Sequence, residues 1–221
     1  MTIIYRIKNK IILDDAMIFT GTVNNYGTMN LMGGVYVQNG HLTLGEGSTT
    51  IFKRKNNTET RLVLWEQGAT VTLKSAILDD KGMVANLATV GNANVNLYMN
   101  VYTDVSFGFL NQGTNDATLN ITLYEDGILR FVNTTNSLKN IHTDIKIFNF
   151  EDNKIYVGNS ATDEKLKYFK LYSGEAENTY LGTASVNNGW LVFATVVPEP
   201  AEWAMIFGGI ALGLAIYRRR K

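Results

Sequence analysis

The chain has no cysteine and only two prolines in 221 residues. The missing cysteine excludes disulfides, thiolate zinc sites and cysteine nucleophiles. Both prolines fall together, as Pro198 and Pro200, so every turn before them is made by other residues. Charge is sparse as well: Asp, Glu, Lys and Arg make up 18% of the chain, below the usual quarter. Twenty basic and twenty acidic residues cancel, which leaves no overall field to recruit nucleic acid. The balance conceals an asymmetry, because Arg218, Arg219, Arg220 and Lys221 are contiguous and the rest is mildly acidic.

Two histidines, His41 and His142, leave little material for a metal centre, and no metal or other cofactor is expected. The motifs G-x-S-x-G and H-E-x-x-H are absent, and "GEGS" at 45–48 lacks the lysine of a phosphate loop. The opening "MTIIYRIKNKIILDDAMIF" does not read as a secretory leader. Its apolar stretch Ile11–Leu13 is broken by Asp14 and Asp15, whereas a leader needs about 7–15 apolar residues in a row.

Glycine, asparagine and threonine are abundant, and they recur in a pattern. "NNYGTMNL" (24–31), "QNGHLTL" (38–44), "EQGATVTL" (66–73) and "EDGILRF" (125–131) each join a glycine turn to an alternating segment. Glycine supplies the positive φ that tight turns need, and a neighbouring Asn or Asp tolerates similar geometry. After each turn the apolar residues fall on every second position, as Met29 and Leu31, Leu42 and Leu44, or Val71 and Leu73. "ANVNLYMNV" and "ATLNITLY" extend the rule, with Val95, Leu97, Met99 and Val101 on one face, and Leu119, Ile121 and Leu123 likewise. A period of two marks a strand with one buried face.

The chain is therefore read as all-β. Turn glycines recur loosely, 13 residues from Gly27 to Gly40, 28 from Gly40 to Gly68 and 14 from Gly68 to Gly82. Such units build an irregular parallel β-helix, a β-solenoid, with a β-sandwich as the alternative. The phrases between Gly21 and Phe131 resemble the repeats of exported bacterial β-helical and autotransporter-passenger proteins. Three regions are expected: a solenoid-like repeat over 1–139, a closing β region or small β cap over 140–197, and a distinct tail over 198–221. The middle region is denser in aromatics and lysine. Phe169, Trp190 and Phe193 would form its core, as strands closing the open end or as a separate small β-domain.

The body gives little sign of catalysis. Asp79, Asp80 and Lys81 before Gly82, and Glu151 with Asp152 in "NFEDNK", read as turn chemistry. His41 reads as an exposed strand residue, and His142 likewise. Tyr98, Tyr102 and Tyr124 are the exposed aromatics that a carbohydrate-binding surface would use.

The tail is different. Trp203 to Tyr217, "WAMIFGGIALGLAIY", carries no charge. As a helix it would be about 22 Å long, short of the roughly 30 Å hydrocarbon core. Interface aromatics at both ends and the basic quartet beyond support a membrane span, since arginine can snorkel and basic flanks stay cytoplasmic. A buried core helix is the alternative. Gly209 and Gly213 have the spacing that lets two membrane helices pack closely. Pro198 and Pro200 hold the backbone extended just ahead of the span.

Pro198-Glu199-Pro200, an apolar span and an arginine cluster, in that order, resemble the PEP-CTERM sorting signal, also named the ice-binding protein C-terminal motif. The resemblance implies an exported protein of a Gram-negative, exopolysaccharide-making bacterium. It implies Pro198, Glu199 and Pro200 as the sorting and processing motif, and a membrane anchor bounded by Trp203 and Tyr217. Arg218, Arg219, Arg220 and Lys221 become cytoplasmic retention charges. The partners it implies are membrane lipid and exosortase, a polytopic membrane cysteine protease/transpeptidase. The protein would be membrane-anchored with its body outside the cytoplasm, then reach the cell surface or matrix after processing. Family members normally begin with a signal peptide, so a misplaced start or a piece of a longer solenoid is expected. The alternative name carries no implication for the body: ice binding needs a regular Thr-x-Thr ladder, and Thr70-Val71-Thr72 stands isolated. The expected function is a non-enzymatic surface or matrix protein. The alternative is a carbohydrate-binding or carbohydrate-active β-helix that meets exopolysaccharide.

Overall fold

A computed structural model of the protein describes residues 4–13, 17–53, 60–79, 85–92, 94–113 and 116–193. Strands follow one another in triads. The first is β1 (Ile4–Ile7), β2 (Lys10–Leu13) and β3 (Met17–Phe19). The second is β4 (Thr22–Asn25), β5 (Thr28–Met32) and β6 (Gly34–Gln38), and the third β7 (His41–Leu44), β8 (Thr49–Lys53) and β9 (Arg61–Trp65). Next come β10 (Thr70–Leu73), β11 (Ile77–Asp79) and β12 (Asn86–Val90), then β13 (Asn96–Val101), β14 (Asp104–Phe107) and β15 (Leu110–Asn111). The last triad is β16 (Thr118–Leu123), β17 (Ile128–Phe131) and β18 (Leu138–Lys139).

Within the triads strands pair in parallel with the strand three places later, as β4 with β7, β5 with β8 and β6 with β9. The exception among the described residues is that β11 and β14 are not paired, so the second face divides between them. The chain thus winds as a three-faced β-solenoid. A sandwich of consecutive hairpins would have paired neighbours antiparallel, and no such pairing occurs among the described residues of these triads. The turns are irregular in length: 18 residues carry Ile4 to its partner Thr22, and 29 carry His41 to Thr70. The slack lies in the corners, where loops lengthen at little thermodynamic cost.

The alternation in the sequence becomes an inside and an outside. Met29, Leu31, Leu42, Leu44, Val71, Leu73, Leu97, Met99, Val101, Leu119 and Ile121 are all buried. Each such side chain stabilises the fold by about 1.5–3 kcal/mol. Parallel sheets are usually covered on both sides and lose this alternation. Here part of the outer side meets water, so Thr and Asn recur there, while the outward Asn30, Val63, Asn86, Ala88 and Asn120 are buried.

The turn glycines serve two purposes, of which the sequence implies only one. Gly68 has the expected positive φ of 79°. At Gly40 the positive φ sits one residue earlier, on Asn39 at 49°. Gly40 itself is needed for close approach: a Cβ there would lie 2.6 Å from the Gly21 carbonyl oxygen of the preceding turn. In a stacked solenoid each corner lies on the backbone of the corner before it, and that contact excludes a side chain.

Some inward positions are polar, Asn25 and Thr50 among them. Asn25 is fully buried, in register with Leu44 of the next turn. Its Nδ2 donates to Thr50 Oγ1 at 3.1 Å, and its Oδ1 accepts from the Gly27 N–H at 3.0 Å. It thereby ties the corner of its own turn to the second face of the next. Asn25→Ala leaves these partners unmatched and is expected to cost about 1–3 kcal/mol, read as a lowered urea midpoint at unchanged slope.

The end of the stack is closed by a change of direction. β19 (Ile145–Phe148) and β20 (Ile155–Tyr156) still pair in parallel with β16 and β17. A four-residue helix α1 (Asp163–Leu166) leads into β21 (Phe169–Tyr172). Then β22 (Tyr180–Asn187) and β23 (Trp190–Phe193) run antiparallel, with β22 on β21 and β23 on both β22 and β20. The closing hairpin therefore joins the first face to the second and leaves neither β21 nor β20 an open edge, the site where another chain would add. Phe169 is buried beneath it, and Trp190 and Phe193 are half-buried. Among the described residues no helix is long and apolar enough to cross a membrane.

Candidate functional site

The site develops from the corner between the first and second faces. Tyr26, Gly45, Lys74, Tyr102 and Tyr124 each follow the last residue of a first-face strand. Each backbone N–H donates to a carbonyl one turn back, as Lys74 to Leu44 at 2.8 Å, Tyr102 to Leu73 at 2.9 Å and Tyr124 to Val101 at 2.9 Å. The side chains are therefore held one above another at the strand spacing of about 4.8 Å.

That spacing suits ring stacking. Tyr102 and Tyr124 lie parallel, with centroids 4.2 Å apart and planes 3° apart. Lys74 Nζ sits 4.6 Å from the Tyr102 ring, a cation–π contact that covers its near side. Nearer the start of the stack, Arg6 lies 4.9 Å from the Tyr26 ring. That ring lies over Gly45, where a Cβ would come within 2.5 Å of it.

The ladder stops after Tyr124. One turn on, Asn149 adopts a left-handed φ of 53°, and Phe150 turns into the hydrophobic core. No ring continues the column. A cavity of about 380 Å³ opens there, lined by Tyr124, Glu125, Asn149, Glu151, Lys154 and Ser173 among others. Lys154 Nζ donates to the Glu125 carbonyl oxygen at 2.9 Å, and Asn149 Nδ2 to Glu175 Oε1 at 3.4 Å.

Burial pushes the Tyr124 hydroxyl above its ordinary pKa of 10.0, with Tyr102 and the Glu175 charge adding to the rise. Burial also raises Tyr172. Lys146 is raised first by its hydrogen bond to Glu177, 2.6 Å away. In all three the folded state holds its proton more tightly than the unfolded chain. Their contribution is complete below pH 10 and is lost as pH climbs through the raised values. Melting temperature is therefore expected to fall progressively above pH 10, and Tyr124→Phe to make that fall shallower.

No family model matches the chain, and neither a curated protein nor a solved structure is significantly similar to it.

Of the residues singled out in the sequence, the structure brings Tyr102 and Tyr124 together and leaves Tyr98 apart. Tyr98 stands exposed on the flat first face, in register with Thr70 on one side and Asn120 on the other. His41 is exposed in the same column, between Thr22 and Thr70. This column mixes Thr, His, Tyr and Asn, so no regular threonine array forms along it. His142 Nδ1 lies 2.6 Å from the Asn140 carbonyl oxygen, and its Nε2 lies 3.8 Å from Asp116. The two residues of "NFEDNK" separate: Glu151 lines the cavity, while Asp152 Oδ1 accepts the Phe193 N–H at 2.9 Å and fastens the closing hairpin. Among the described residues no group of three or more His, Asp or Glu side chains is placed to hold a metal ion. Asp79 closes β11, and Asp80 and Lys81 lie outside the described residues. So do Pro198, Glu199, Pro200, Trp203, Tyr217 and Arg218–Lys221.

Asn149, Lys154 and Ser173 had not been marked in the sequence as site residues. Asn149 and Lys154 bound a stretch read as a turn, and Ser173 comes from the next turn of the solenoid. Only the stacking of turns makes them neighbours of Tyr124.

Proposed function

We propose that this chain is an exported, non-enzymatic surface or matrix protein. The solenoid is the displayed body, and the tail is a PEP-CTERM-type sorting signal. The observation that carries the reading is the ordered tail: Pro198-Glu199-Pro200, the uncharged stretch from Trp203 to Tyr217, and the basic quartet Arg218–Lys221. The two prolines of Pro-Glu-Pro remove amide donors and favour an extended backbone, which suits the groove of a processing enzyme. The apolar stretch holds the chain in the lipid, and the quartet stays cytoplasmic. An exosortase-type protease/transpeptidase does the chemistry, with this chain as its substrate. Mass spectrometry of the native protein from surface and membrane fractions tests the reading. A mature end near Pro198–Pro200, with no peptide from Trp203 onward, supports it. A tail intact to Lys221 and retained in the inner membrane overturns it.

A second reading, compatible with the first, gives the body a carbohydrate ligand. The cavity beside the stacked tyrosines favours it, since sugar rings pack on aromatic faces while their hydroxyls meet polar side chains.

A further inference from the structure

We infer that the cavity at the end of the tyrosine ladder is a saccharide subsite, in which a sugar ring takes the stacking position that Phe150 vacates beside Tyr124. The inference rests on the carbohydrate reading of the body and is independent of the tail.

Three observations carry it. The ladder is built by the backbone: every member is fixed by a hydrogen bond to the turn before it, so Tyr124 is held rigidly. An immobilised ring loses little entropy when a ligand packs against it. Second, the ladder ends in open space. Tyr102 takes one side of the Tyr124 ring at 4.2 Å, and beyond Tyr124 lies a cavity that Tyr124 and Phe150 line together, Phe150 being otherwise part of the hydrophobic core. Third, the rim is polar. Asn149, Glu151, Lys154 and Ser173 surround the aromatic wall and offer both donors and acceptors to hydroxyl groups.

Charge narrows the ligand. Glu125 and Glu151 line the cavity with one lysine, and Glu175 is close enough to Tyr124 and Asn149 to act on both. Carboxylates therefore outnumber cations. A uronate would meet repulsion, and an amino group would be attracted. The expected order is aminated sugar first, neutral sugar next and uronate last.

The test uses the full chain in mild detergent with three hexasaccharides, of glucosamine, glucose and galacturonate, titrated by calorimetry. The glucosamine hexamer is expected to bind tightest and the galacturonate hexamer weakest. Tyr124→Ala and Glu151→Gln are each expected to weaken binding about tenfold, while Tyr98→Ala leaves it unchanged. Glu151 is exposed, so Glu151→Gln reports on the site even if Tyr124→Ala disturbs the ladder. Binding lost in Tyr98→Ala but kept in the other two variants overturns the inference and moves the ligand to the first face, with the carbohydrate reading intact. Absence of binding across all three hexamers overturns both. A preference for galacturonate overturns the inference through its charge argument.

Discussion

Phe107→Ala is expected to cost about 3–5 kcal/mol and to split the unfolding transition in two. Phe107 is fully buried on β14, and its ring lies 6.3 Å from that of Phe131, its register partner one turn later. Together they fill the interior where β14 and β17 stack. Removing one ring leaves a cavity between adjacent turns, and a stacked backbone cannot collapse into it without moving whole rungs. In a solenoid each turn contacts only its neighbours, so cooperativity passes through the interfaces in series. Weakening one central interface should let the turns before β14 and after β17 unfold separately. Hydrogen exchange read by mass spectrometry would show two protection classes divided at β14. A uniform loss of protection along the whole chain would contradict the serial picture.

Gly127→Ala is the second large effect, expected near 3 kcal/mol. An added Cβ would run into the Val101 carbonyl oxygen of the preceding turn and lie 2.8 Å from that of Tyr124. Both obstacles are backbone, so neither can rotate away. The corner must lift, and Tyr124 is part of that corner. The same substitution should therefore loosen the Tyr102–Tyr124 stack and weaken any ligand bound beside it. Gly47→Ala provides the contrast. Gly47 has a φ of 71° and nothing within 4 Å of the added Cβ, so its cost is limited to about 1–2 kcal/mol of left-handed backbone strain. Urea midpoints of the two variants decide the point: equal losses would mean that close approach is not what Gly127 provides.

These expectations show how far the sequence reaches. Period-two alternation identified β5, β7, β10, β13, β16 and β17 with their inward residues, because it reports a local geometric fact about which way side chains point. It did not identify what Gly40 and Gly127 do. The sequence marks a turn at each, and only the preceding turn of backbone shows why no other residue fits. Asn25 carried no signal at all. It occupies an apolar position in its column, and its partner Thr50 lies 25 residues away.

The candidate site divides in the same way. Tyr102 and Tyr124 could be marked from sequence as exposed aromatics, but their contact could not, because it depends on a turn length of 22 residues that no local pattern sets. Tyr98, four residues from Tyr102 and chemically identical, ends on a different surface. The cavity exists because Phe150 turns inward, a choice made by the packing of the core under the closing hairpin.

The sequence by itself determined that the body is all-β, which side of its alternating strands is buried, and that residues 198–221 differ in kind from the body. Each of these is a property of a few adjacent residues. The tertiary structure decided for the parallel solenoid over the sandwich, which strands pair, that corners lie on corners, and that two tyrosines stack beside a cavity. Those are relations between residues about one turn apart, and they arise only when burial of the inward faces brings successive turns into register.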